Sequence, residues 1–107
     1  MGKPDEQAVL VYLDGTSLPD SVYERFDLAT LEDQLTAVIK EKHLGEYDGN
    51  EFGPEGTKLF MYGPDAKALF SAIENILRAY PLCQNSKVVV KLGGPGAPTS
   101  EVTLPLQ

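Results

Sequence analysis

Two hydrophobic periods divide this 107-residue chain into elements. A period of two marks three segments. "AVLVYL" (Ala8–Leu13) is an apolar, β-rich run closed by the turn signal Asp14-Gly15. "TKLFMY" (Thr57–Tyr62) sets Leu59 and Met61 against Lys58, Phe60 and Tyr62, and "KVVVKL" (Lys87–Leu92) sets Val88, Val90 and Leu92 against Lys87, Val89 and Lys91. All three predict strands, the last two with one well-buried face.

The helical period marks two more segments. In "FDLATLEDQLTAVIKEKHLG", Leu28, Leu31, Leu35, Val38 and Ile39 form one apolar stripe. Asp27 suits the N-cap, Phe26 and Leu31 occupy the positions of a hydrophobic staple, and Lys40, Lys42 and His43 gather where they favour the helix dipole. Gly45 supplies the stop. In "GPDAKALFSAIENILRAYP", Pro64 falls at the first helical position and Asp65 in the first turn. Ala66, Leu69, Phe70, Ile73, Ile76, Leu77 and Tyr80 share a face, and Pro81 ends the helix. "TSLPDSVYERF" has no sustained period and predicts a connecting loop with room for a short helical turn. The tail "SEVTLPL" leaves room for a short extra strand, which Pro105 restricts to an edge.

Between the first helix and the "TKLFMY" strand lies "EYDGNEFGPEG" (Glu46–Gly56), dense in carboxylates and glycines. Gly53-Pro54-Glu55-Gly56 has the chemistry of a type I turn, which pairs Glu46–Phe52 with Thr57–Tyr62 as a hairpin. Asp48-Gly49 then falls inside the first strand as a bulge; a hairpin turning at Asp48-Gly49 itself is the alternative. The order strand, helix, strand pair, helix, strand predicts one α+β domain over residues 1–107. Its expected form is a ferredoxin-like βαββαβ plait, an antiparallel sheet with two helices on one face. "EYDGNEFGPEGTKLFMYGPDAKALFSAIENIL" resembles a pattern of small uncharacterised bacterial ferredoxin-like domains, in which YDG-x-E, a glycine-bearing hairpin and a YGPDA helix start follow one another. The resemblance covers Glu46–Leu77 and implies the fold, with no activity attached.

Little in the chain has the spacing of a reactive site. Asp48, Asn50 and Gly53 match positions 1, 3 and 6 of an EF-hand loop, but Phe52 and Leu59 stand where two of its ligands belong. His43 is the single histidine and Cys83 the single cysteine, so neither a disulfide nor a cysteine-based zinc site can form within the chain. Cys83, at a helix exit, reads as a partly buried small side chain. "GGPGAP" (Gly93–Pro98) fits neither phosphate-binding glycine pattern, and its prolines remove donors. No metal and no cofactor are expected.

Sixteen acidic residues against nine basic ones give a net charge of −7. Phosphate contacts depend on Lys and Arg, so nucleic acid and anionic membrane are not expected partners. The polar start "MGKPDEQ" has no signal-peptide core, and a cytoplasmic address is expected.

The best lead is the sheet face opposite the helices. If Val9, Val11, Leu13, Leu59, Met61, Val88, Val90 and Leu92 pack inward, Leu10, Tyr12, Phe60, Tyr62 and Val89 face outward, fringed by Lys58, Lys87 and Lys91. That is more apolar than a solvated face requires. The expected function is a non-enzymatic binding or regulatory module, acting through protein contact on this face as a homodimer or small partner subunit. Tyr12, Phe60, Tyr62 and Val89 would form the contact, unless the 19–26 connection or the C-terminal tail covers it. One alternative is an acidic, immunity-type inhibitor of a basic target, steered by Glu46, Asp48, Glu51 and Glu55. Another is a small enzyme with Asp48, Glu51 and His43 in acid–base roles. The absence of a visible catalytic constellation weighs against an enzyme without closing that option.

Overall fold

Strand β1 (Gln7–Tyr12) is hydrogen-bonded on both edges and forms the middle of the structure. The computed structural model describes residues 7–54, 56–93 and 96–104. Around β1 stand β2 (Glu46–Gly53), β3 (Gly56–Gly63), β4 (Lys87–Lys91) and β5 (Thr99–Thr103), in the spatial order β2-β3-β1-β4-β5 with every pairing antiparallel. The helices are α1 (Asp20–Arg25), α2 (Leu28–Glu41) and α3 (Ala66–Ala79), followed by a 3₁₀ turn at Pro81–Cys83. The fold is α+β and compatible with an α/β plait. The helix α2 carries the chain from β1 past β3 to the outer strand β2, and α3 carries it from β3 past β1 to β4.

Alternation decides which side is covered. Val9 and Val11 of β1, Leu59 and Met61 of β3, and Val88 and Val90 of β4 are buried on one side. Against them lie Leu31, Leu35 and Ile39 of α2 and Leu69, Ile73 and Leu77 of α3. Burying an aliphatic side chain of this size stabilises the fold by roughly 1.5–3 kcal/mol, so this layer dominates the energetics. The predicted stripes differ at their edges: Leu28, Val38, Phe70, Ile76 and Tyr80 are only partly buried, against the flanks of the core.

Asp20–Arg25 form α1, the short helical turn for which segment 16–26 left room, and its Val22 and Tyr23 pack on the core. The ends of the two long helices differ from the sequence reading in two places. Pro64 lies outside α3: Asp65 is the N-cap, accepting from the Ala68 N–H at 3.1 Å, and Gln7 of β1 accepts from the Ala66 N–H at 2.7 Å. A carboxylate at that position satisfies a backbone donor that proline cannot replace, so it sets the start. Helix α2 stops at Glu41, and His43, not Gly45, takes the left-handed conformation (φ 54°). The N–H groups of His43 and Leu44 donate back to the carbonyls of Lys40 (3.3 Å) and Ile39 (3.0 Å), the Schellman pattern. Asp27 occupies the N-cap of α2 without a side-chain capping bond.

Gly45 has a different task. Its φ is +133°, and a Cβ there would lie 1.9 Å from the Tyr62 carbonyl oxygen and 2.7 Å from the Gly63 Cα. The chain leaving α2 therefore crosses β3 at backbone contact, which only glycine permits.

The tail forms β5 at the edge beside β4, and Leu104 enters the helix-side core. Val22, Tyr23 and Phe26 of the α1 segment also pack on the helix-side core, and Pro105 lies outside the described residues.

Replacing Gly45 with Ala should cost about 3 kcal/mol or more, because positive φ and a backbone clash coincide. Gly49→Ala, at φ +121° but with open space around its Cβ, should cost ~1–2 kcal/mol from backbone strain alone. Urea unfolding with unchanged m-values checks the ordering; equal costs would mean that the crossing is not tight.

Candidate functional site

Two surfaces stand out, one on the open face of the sheet and one at its end. On the open face the register aligns three rows across β3, β1 and β4. They are Lys58–Tyr12–Lys87, Phe60–Leu10–Val89 and Tyr62–Ala8–Lys91. Tyr12, Phe60, Tyr62 and Val89 thus share one face, half-buried, while Ala8 and Leu10 between them are buried. The aromatic rings are not bare. The Lys58 Nζ lies 5.0 Å from the Tyr12 centroid and 5.1 Å from that of Phe60, and the Lys87 Nζ lies 5.5 Å from Tyr12 on the other side. Such contacts contribute ~0.5–1 kcal/mol each at exposed sites, and the lysine stems shield apolar surface from water. Lys87 also meets Glu101 of β5 at 3.7 Å.

The acidic hairpin lies along an outer edge of the sheet. Glu46 stands opposite Tyr62 and Glu51 opposite Lys58, so both are on the open face. Asp48 sits in the register shift between Tyr47 and Gly49, the expected bulge, and all three carboxylates are exposed. Glu55 lies outside the described residues. His43 is held at the end of α2 by its backbone. No hydrogen bond or ion pair joins His43, Asp48 and Glu51 among the described residues, and no group of three metal-ligating side chains forms there.

The bulge has a structural consequence. It places Tyr47 and Asn50 on the helix side, where the Tyr47 hydroxyl (2.6 Å) and the Asn50 amide (2.8 Å) both donate to Glu32 of α2. Burial, then the hydrogen bond and charge of Glu32, hold the Tyr47 hydroxyl far above the usual tyrosine range.

Past the reach of Glu32 the sheet projects beyond α2 and leaves a groove of about 360 Å³. Leu13, Tyr23, Phe26, Leu28, Phe52 and Leu82 supply its apolar lining, with Thr57 between strands. Asp14 and Asp27 are its charged residues. Phe52 is 74% exposed, the one large hydrophobic side chain so exposed among the described residues. Two weak signals of this groove lie in the residue pattern. Val22, Tyr23 and Phe26 form one turn of a helical stripe in the segment read as loop, and Phe52 sides with Tyr47 only once the bulge is counted.

Asp14 organises the groove's outer end. Its carboxylate accepts from the backbone N–H groups of Thr16 (2.9 Å) and Ser17 (3.1 Å), from the Ser17 hydroxyl, and from the Asn85 amide (2.5 Å). The Tyr23 hydroxyl donates to the Asp14 carbonyl at 2.9 Å and accepts from the Leu18 N–H. The Ser17 hydroxyl and the Thr16 N–H are the main causes that hold the Asp14 carboxyl well below the usual carboxylate range. At the inner end, the Tyr80 hydroxyl donates to the Asp27 carbonyl at 2.7 Å, and the Tyr80 ring meets Phe26 edge-on at 5.6 Å. Cys83, expected to be partly buried, is fully enclosed, and burial pushes its thiol up to about 12.

No family model, curated protein or solved structure matches the chain.

The Cys83 thiol should resist modification by a disulfide reagent near neutral pH and react at the rate of unfolding; fast labelling of folded protein would contradict its burial. The folded-state pKa of Asp14 lies below its ordinary 3.8. Its network therefore stabilises the fold in full above about pH 4 and loses that contribution as the pH falls further. Asp14→Asn should lose less stability than the parent between about pH 5 and about pH 2, measured as the shift in denaturant midpoint; parallel curves would remove Asp14 from the acid limb.

Proposed function

We propose that the chain is a ferredoxin-like βαββαβ domain with one added edge strand, working as a non-enzymatic binding module through protein contact on its open sheet face. The fold reading is supported by the order β2-β3-β1-β4 and by the two helices that each bridge strands separated by one neighbour. It agrees with the resemblance carried by Glu46–Leu77. The functional reading rests on one observation. Tyr12, Phe60, Tyr62 and Val89 lie in register around Leu10 on the sheet face opposite the helix-side core. Such a patch, rimmed by Lys58, Lys87, Lys91, Glu46 and Glu51, has the mixed character of a protein interface. A second copy of the chain is the first partner to test.

An inhibitor of a basic target is the second reading, favoured by the exposed row Glu46, Asp48 and Glu51 along an unpaired strand edge.

Light scattering at low and high protein concentration should give a dimer that Phe60→Asp returns to monomer, with folding checked by circular dichroism. Higher salt should weaken the charged rim and leave the apolar centre in place. A monomer at every concentration removes the homodimer, and a dimer that tolerates Phe60→Asp removes the open face as its interface.

A further inference from the structure

We infer that the groove at the end of the sheet is a second docking site, which takes a segment of a partner protein carrying one large apolar side chain beside Lys or Arg. This goes beyond the open-face reading, because the groove lies at the end of the helix-covered side and shares none of the four open-face residues.

The argument begins with Phe52. Register puts it opposite Thr57, on the same side as Tyr47 and Asn50. Those two are held by Glu32 of α2, but Phe52 lies beyond them and stays 74% exposed. An exposed phenylalanine on an edge strand invites non-specific association, so leaving it uncovered is a cost that a binding role explains. It is not isolated: Leu13, Tyr23, Phe26 and Leu82 continue the apolar surface inward. At about 360 Å³ the groove lies at the small end of the ~300–1,000 Å³ range of binding pockets. That suits one or two side chains.

Charge specifies the rest of the occupant. Among the described residues the lining contains two carboxylates, Asp14 and Asp27, and no cation. Neighbouring α1 adds Asp20 and Glu24 against the single Arg25, and the chain as a whole carries −7. An acidic segment would meet repulsion from these carboxylates, whereas a basic one is attracted and steered.

The test uses the intact chain as bait for a displayed library of random twelve-residue peptides. Enriched sequences should pair Phe, Leu, Ile or Trp with adjacent Lys or Arg. Their affinity should fall about tenfold or more in Phe52→Ala, as for a central interface anchor. Asp27→Asn, which keeps a good N-cap residue, should lower affinity a few-fold and flatten its salt dependence. Phe60→Asp should leave peptide binding unchanged, which separates this site from the open face. No enrichment, enrichment of acidic or purely polar sequences, or binding that survives Phe52→Ala would each overturn the inference. So would loss of self-association in Phe52→Ala, because the groove would then belong to a second copy.

Discussion

The central strand is apolar on both sides, and the rest of the structure follows from that. Because β1 is paired along both edges, its side chains point above and below the sheet and are hidden there by a packed layer or flanked by neighbours in register. Val9 and Val11 are hidden by two helices. Ala8 and Leu10, on the side away from these helices, are buried too. The neighbouring strands cover them with Phe60 and Val89 in register beside Leu10 and Tyr62 and Lys91 beside Ala8. One side of the sheet is thus packed by helices, while on the other the side chains of β3 and β4 flank those of β1 in register.

That second closure is only partial, and it shapes what the surface can offer. The ammonium groups of Lys58 and Lys87 bracket Tyr12, so the aromatic surface comes with fixed positive charge inside an acidic protein. At the end of the sheet the arrangement is reversed: an open apolar lining accompanies, among the described residues, carboxylates alone. The molecule therefore has two apolar surfaces of opposite local charge, and these should select different partners.

Much of the fold was legible because it rests on local periodicity. The two long helices and the inward residues of β1, β3 and β4 follow from spacing, and the bulge at Asp48-Gly49 from the turn chemistry of Gly53-Pro54-Glu55-Gly56. Helix ends were less legible, since competing caps sit within two residues of each other. Asp65 prevailed over Pro64 by bonding a backbone N–H, and His43 adopted the left-handed turn that glycine usually takes. The four open-face residues could be read from alternation, but the lysines over the rings could not, because they depend on cross-strand register. The groove was invisible for a related reason: its lining comes from segments distant in sequence, brought together where α2 begins too late to cover the sheet.

The interleaving of strands also has a consequence for how the chain assembles. Only the β2–β3 hairpin pairs neighbours in sequence through a short turn, with β4–β5 a second pair joined through the glycine-rich loop. Leu10 must wait for Phe60 on one edge and Val89 on the other. During synthesis, the most apolar strand therefore leaves the ribosome long before either of its partners exists. Non-local closure of this kind slows folding and prolongs exposure of unpaired edges. For this chain that interval ends only when β4 arrives, so its vulnerability to aggregation is greatest while the molecule is still nascent.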